Sequence, residues 1–293
     1  MIYETPTFSP GGDRCIEVEL GDGMGFELNF RVHNLTAAIR EARIAGVVEL
    51  IPELASLQIS YDPALISYDS VVCEVNALYQ NILNVTGAEL PSRLFYVPTL
   101  YFDPWTEECV QDYCARVTAK VADPDLICRV NGLEDRAAFR RMHAGTEYWV
   151  AALGFWPGLC SLMPLNDDAR LVAPKYNPPR TWTPKGAIGL GGSLTCIYPD
   201  RTPGGYQLFA RTPMPTFQRE QRLAAFEDSI VLFRPGDRVR FVPIDKDEYD
   251  WIAAEVEAGV YQHPNVDYQT FSVERYRLWR DQKVCAAGHG VQS

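Results

Sequence analysis

Tyr198, Arg201, Gln207 and Arg211 fall within one short stretch punctuated by Pro199 and by Pro203-Gly204-Gly205. A guanidinium group presents a planar fork of donors that matches the two oxygens of a carboxylate. Two arginines beside a glycine turn therefore predict a clamp for a carboxylate or carboxyphosphate-like group. The competing expectation spends Arg211 on a buried ion pair with Asp237. Lys175 and Lys185 flank the stiff segment Pro178-Pro179-Arg180, where they would meet an anionic substrate or an acidic partner. His143 ends an arginine-rich helical stretch. Its imidazole suits acid–base work near neutral pH, and the alternative is a helix-end residue with no chemical task.

Other chemistries find less support. Gly189, Gly191 and Gly192 form a glycine-rich turn, but no Lys-Ser or Lys-Thr follows, so the turn is not a phosphate-cradling loop. No lysine is flanked by methionines, which excludes a biotin carrier. Gly154, Pro157 and Gly158 close an apolar run; they are read as corner residues, the alternative being a loop whose bare amides face an anion. The eight cysteines include no C-x-x-C pair and the four histidines are isolated, so no metal site is expected. Free thiols fit a reducing cytosol, and Cys160 and Cys196 read as small buried hydrophobes. The sequons at Asn34 and Asn84 then carry no meaning.

These side chains need a scaffold, and composition bounds it. The 293 residues are 47% hydrophobic and 22% charged, enough for two modest cores. A net charge of −11 argues against nucleic acid and against anionic membranes, both of which need clustered Lys and Arg. No apolar run reaches the ~20 residues of a membrane span. Met1-Ile2-Tyr3-Glu4-Thr5 does not resemble a signal peptide, so the chain is expected in the cytoplasm.

Period-2 alternation predicts strands over 14–20, 25–32, 47–51, 57–61 and 93–102. Helical spacing predicts a helix from Asn34 or Thr36 to Gly46 and a second from Asp69. This order implies residues 1–90 as a small antiparallel sheet with two helices on one face. Gly87 to Ser92 reads as a linker. Polar helical stretches follow at about 106–120 and 133–147. From Tyr148 onward, short apolar runs broken by Gly and Pro read as a small β-barrel, giving a second domain over 91–248. Residues 249–293 form an extension with Tyr261, Tyr268, Phe271, Tyr276 and Trp279, aromatics that should pack on something. The fold class is α+β.

Several segments, in order, carry a family resemblance. Gly12-Asp13-Arg14 precedes a strand, and Ser56-Leu57-Gln58-Ile59-Ser60-Tyr61-Asp62-Pro63 follows. Next come His143, Tyr148 and Leu153-Gly154-Phe155-Trp156-Pro157-Gly158. The run Pro184-Lys185-Gly186-Ala187-Ile188-Gly189, Ile197-Tyr198-Pro199, Pro203-Gly204-Gly205-Tyr206-Gln207-Leu208 and Arg211-Thr212-Pro213 leads to Pro235-Gly236-Asp237-Arg238. Together they resemble the KipI family, also called allophanate hydrolase subunit 1 and the 5-oxoprolinase B subunit, the carboxyltransferase-domain half. The resemblance implies an N-terminal ferredoxin-like α/β domain followed by a C-terminal cyclophilin-like β-barrel.

It further implies a subunit of an ATP-dependent amidohydrolase or carboxylase, not active alone, that shares a substrate site with a KipA-like partner. ATP, and biotin in the urea carboxylase type, would act in the complex and not on this chain alone. Tyr198 and Arg211 match the family motif. An alternative implied by one family member is a regulatory protein that inhibits a kinase or another enzyme. The chain departs from its relatives at Leu194, where a glutamine is usual, and in its aromatic extension. An accessory subunit of a ketone carboxylase of the acetophenone type is therefore also kept.

Overall fold

A computed structural model describes residues 1–83 and 89–289, with backbone only at 267–269 and 284–289. The Asn84 sequon, the side chains of Tyr268 and Cys285, and Gly87 and Ala88 of the linker expected over 87–92 lie outside the described residues; the rest of that linker, Glu89 to Ser92, is strand. The chain divides into two compact units: residues 1–92 together with the chain from Tyr268 onward, and Arg93–Asp267.

The first unit opens with β1 (Ile2–Pro10), β2 (Cys15–Gly21), α1 (Phe26–Ala42), β3 (Val47–Pro52), β4 (Ser56–Tyr61) and α2 (Tyr68–Leu83). The strands form an antiparallel sheet in the order β1-β2-β4-β3. Ile16, Val18 and Leu20 alternate inward from β2, Leu57 and Ile59 from β4. They meet Leu28, Val32, Leu35 and Ile39 of α1 and Val71, Val75 and Tyr79 of α2, so one face of the sheet carries both helices. The strand expected at 25–32 is instead the first half of α1. Phe26, Leu28, Phe30 and Val32 alternate as a strand would, yet Leu28, Val32, Leu35 and Ile39 repeat at three to four residues and bury a helical stripe.

The second unit runs through β5 (Glu89–Tyr101), α3 (Pro104–Arg116), α4 (Asp123–Val130), α5 (Arg136–Ala144), β6 (Glu147–Leu153) and β7 (Cys160–Pro164). It continues with β8 (Arg180–Thr183), β9 (Ala187–Gly191), β10 (Leu194–Ile197), β11 (Thr202–Gly204), β12 (Gln207–Arg211), β13 (Arg238–Pro243) and α6 (Lys246–Ala258). Among the described residues, β12-β9-β10-β7-β6-β13-β5 pair in turn, and β5 pairs again with β12, so the ring of strands closes on itself. Closure removes the free edges that would otherwise template aggregation. Val97, Val150, Leu162, Ile188, Ile197 and Phe209 belong to its buried core. Of the glycine-rich run, Gly189 and Gly191 are paired residues of β9, and only Gly192, with Ser193, makes the hairpin turn to β10.

Capping sets the helices. Asp103 accepts from the amides of Trp105 (3.1 Å) and Thr106 (2.9 Å), with Pro104 at the first helical position, and thereby starts α3. Asp135 caps α5 through Ala138, and Asp245 caps α6 through Glu248. The stretch expected to be helical over 133–147 is thus confined to α5, and α4 precedes it as a helix that spacing did not predict. Beyond α6 come β14 (Asn265–Ser272) and α7 (Val273–His289). From α7, Tyr276 packs on Phe26 of α1 with ring centroids 4.4 Å apart, and Arg277 makes a forked ion pair with Glu27. The aromatic tail is therefore divided: Tyr261 is buried in the second unit's core and Tyr276 packs within the first.

Candidate functional site

A cavity of about 140 Å³ opens in the second unit between the end of β12, the turn before β9, residues 212–216 and α6. Backbone bonds fix its floor. Gly186 donates to the Tyr198 carbonyl (2.7 Å) and Thr212 donates to the Gly186 carbonyl (2.9 Å). Gly186 sits at φ +79°, and a Cβ there would lie 2.3 Å from the Thr212 carbonyl oxygen, so the crossing admits only glycine.

Arg211 closes β12 on the cavity wall. Its Nε donates to the Lys185 carbonyl at 2.7 Å. Its guanidinium carbon lies 4.6 Å from the Trp105 ring centroid and 5.7 Å from that of Tyr249. Neither Nη has a hydrogen-bond partner among the described residues, so the outer edge of the fork is free for an anion. The exposed Lys185 also lines the cavity, and no carboxylate among the described residues does. Thr216 adds a hydroxyl that is buried and has no partner. The result is a cationic pocket on a chain of net charge −11. Nearby, burial raises the Asp103 carboxyl against the opposing pull of its Thr106 bonds and Arg211. Burial likewise pushes the Tyr249 phenol up to about 12.

Arg211 does not pair with Asp237. Asp237 takes Arg93 instead, at 3.0 Å to Nε and 2.5 Å to Nη2, because β13 runs parallel beside β5 with Arg238 opposite Leu94, which sets the preceding residues Asp237 and Arg93 side by side. Tyr198 borders the cavity, but its side chain is only 2% exposed. The hydroxyl accepts from the Tyr206 amide at 3.3 Å and rests where a Cβ on Gly204 would come within 2.6 Å. The phenol therefore shapes the 203–206 turn and is not offered to a ligand.

The other expected residues stand elsewhere. Arg201 is exposed and stacks on Trp182 at 4.4 Å. Lys175 lies over Tyr206 at 5.2 Å. Gln207 is buried, donating to the Pro174 carbonyl and accepting from Lys120, both at 2.6 Å. His143 is 1% exposed, its Nδ1 2.7 Å from the Tyr101 hydroxyl, with Phe139, Tyr148, Phe209 and Phe241 packed around the ring. Burial lowers its pKa to about 3, so it stays neutral and has no route to a substrate. Leu194, at the head of β10, lines neither this cavity nor the larger one described next.

Sequence reasoning passed over a second arrangement. Asp123 is fully buried and accepts from the Tyr176 hydroxyl (2.6 Å), the Leu208 amide (2.6 Å) and Lys120. The Lys120 ammonium also lies 3.7 Å from the Tyr176 ring centroid, and Arg180 lies 4.4 Å from it. Burial lowers the Lys120 pKa while Asp123 opposes the shift. This network borders a cavity of about 240 Å³ beneath α3. Its polar groups satisfy one another, so it braces the wall behind β12. Asp123 falls between the two helical stretches expected from spacing and belongs to no chemical motif, which is why nothing marked it. Trp105, Tyr249 and Thr216 were missed because each joins the site from a different element.

Comparison with known proteins agrees with this architecture. A family model described as carboxyltransferase domain, subdomain C and D, matches residues 6–226. Urea amidolyase of Saccharomyces cerevisiae is 29% identical over 279 residues, 93% of this chain and 15% of that protein. The B subunit of 5-oxoprolinase from Bacillus subtilis is 30% identical over 251 residues, 81% of this chain and 92% of that protein. The crystal structure of Kluyveromyces lactis urea carboxylase superposes with a TM-score of 0.86 at 25% identity, covering 100% of this chain and 27% of that one. The chain thus spans about 15% of the urea amidolyase it matches.

Proposed function

The chain belongs to the carboxyltransferase-domain family, subdomains C and D, and from that premise we propose that it supplies one half of a site for an ATP-dependent amidohydrolase or carboxylase. The first unit serves as a ferredoxin-like domain and the second as a cyclophilin-like barrel. The four-stranded sheet with two helices and the closed ring of strands support those readings. A KipA-like partner completes the site in the cytoplasm. ATP, and biotin where it is used, are handled by other parts of the assembly. The names of the relatives, urea amidolyase and the 5-oxoprolinase B subunit, favour a small amide as substrate.

One observation carries this reading: the free edge of Arg211 beside Lys185, in a cavity that no carboxylate among the described residues lines. A pre-oriented cation there costs no reorganisation when negative charge develops on a carboxyl group, which is the condition for electrostatic stabilisation of a transition state. Catalysis would then rest on orientation and charge, with no nucleophile from this chain.

The test is reconstitution with the neighbouring gene products and an assay of ATP-dependent carboxylation or amide opening. Turnover should require this chain, and Arg211→Gln should lower it on the order of a hundredfold, as loss of one oriented donor does. Undiminished turnover without the chain refutes the proposal.

A further inference from the structure

The cavity of about 240 Å³ beneath α3 combines an apolar lining with charged groups that are already in use. Phe102, Val110, Pro124 and Leu208 supply the apolar part. Of the charged side chains, Asp103 caps α3, and Lys120 and Asp123 hold each other. Arg136 forks onto Asp125 at 2.6 and 2.8 Å, and Glu107 accepts from Gln111 at 3.4 Å. A charged guest would lose its water and find no free counter-ion, a penalty that a neutral guest escapes. Phe102 marks the lining further. Its backbone sits at φ +58°, a region that a bulky side chain enters only under strain, yet its ring is half-buried on the cavity wall. The Phe102 amide is held there by the Phe209 carbonyl at 2.8 Å. Its ring centroid lies 6.2 Å from that of Phe139 and 5.6 Å from the Arg136 guanidinium carbon.

We infer that this cavity is a second binding site, for a neutral aromatic molecule, and that its occupancy is felt at Arg211. Size sets the guest: about 150 Å³ accommodates benzene, so this cavity takes about nine or ten non-hydrogen atoms. An aromatic guest gains over an aliphatic one by packing edge-to-face or offset on the Phe102 ring. The first turn of α3 is common to both sites. Asp103 and Thr106 line this cavity, while Trp105, between them in sequence, lies 4.6 Å from the Arg211 guanidinium. On β12, Leu208 lines it and Arg211 follows along the same strand. A guest that fixes this turn holds Trp105 against Arg211. That coupling rests on the anion site proposed above, whereas the cavity's own binding does not.

Indole, benzoate and benzamidinium are of one size and differ in charge. The full chain, titrated with each and followed by methyl NMR, should show indole moving the Val110 and Leu208 signals. The two ions should act there at least about tenfold more weakly. Ala122→Trp, on the exposed rim of the cavity, should plug it and abolish the indole shifts. Phe102→Leu, which keeps the wall apolar but removes the ring, should weaken indole about threefold. With indole bound, benzoate should bind beside Arg211 about fivefold more tightly, read from the Met214 methyl that lines that cavity. Equal binding of the three probes at Val110 and Leu208, no indole shifts there, or indole binding undiminished by Ala122→Trp or Phe102→Leu overturns the aromatic site. Indole that binds without changing benzoate affinity overturns the coupling alone. Benzoate that leaves Met214 unmoved, with or without indole, overturns the anion site and the coupling with it, while the indole titration still decides the cavity.

Discussion

Trp105 on α3 and Tyr249 on α6 pack with ring centroids 5.0 Å apart and planes tilted by 32°, and Arg211 lies against both. A cation over an aromatic face is attracted by the ring quadrupole, and here the two rings also fix the plane in which the guanidinium fork opens. Trp105→Ala should therefore lower turnover of the reconstituted complex about tenfold while Arg211 remains in place. Arg211→Lys in the native chain should lower turnover as well, because an ammonium has neither the plane nor the fork. Steady-state kinetics that leave Trp105→Ala at native rates would remove the aromatic brace from the account.

Gly186 and Gly132 both sit at positive φ, +79° and +65°, but they differ in what surrounds them. A Cβ on Gly132 would meet open space, whereas one on Gly186 would come within 2.3 Å of a backbone oxygen. Gly132→Ala should cost about 1 kcal/mol from backbone conformation alone. Gly186→Ala should cost about 3 kcal/mol, since strain and a carbonyl clash combine. Urea unfolding midpoints compare the two. Equal losses would mean that the crossing at Thr212 yields easily.

Asp237→Asn should destabilise the second unit by about 3 kcal/mol, because it leaves the Arg93 guanidinium, 14% exposed, without its carboxylate. Anion binding at Arg211 should be untouched, since Asp237 is not its partner. A loss of anion binding with stability intact would restore the Arg211–Asp237 pairing considered from sequence.

His143 makes a pH prediction. Its folded pKa, about 3, lies below the unfolded value near 6.5. Between those values the unfolded chain takes up a proton that the native chain refuses. Stability is therefore whole above pH 6.5 and is lost as pH falls, by up to about 1.4 kcal/mol per pH unit. His143→Gln should gain on the native chain as the pH is lowered from 6.5. Parallel stability curves for the two, measured by denaturant titration, would show that the imidazole is protonated in the fold.

How much of this was legible follows from where the determinants lie. The alternation of Cys15–Gly21 and the helical stripe after Tyr68 are local, and both elements form as read. Phe26 to Val32 satisfies both periods over seven residues; only Leu35 and Ile39 further on resolve it as helix. At the site, Arg211 was visible beside its glycine turn. The residues that orient it, Trp105 and Tyr249, come from helices distant in sequence, and no spacing rule links them. Tyr198 shows the converse. Its motif position was visible, but burial turned its hydroxyl toward Gly204 and away from the cavity.

The ion pair between Glu27 and Arg277 spans 250 positions of the chain. During synthesis, the sheet and helices of the first unit emerge early, yet the helix that covers Phe26 and neutralises Glu27 leaves the ribosome only after the whole barrel has been made. The first unit therefore waits with an uncapped aromatic patch while its neighbour folds, and a stalled or shortened product would expose that patch to chaperones and proteases.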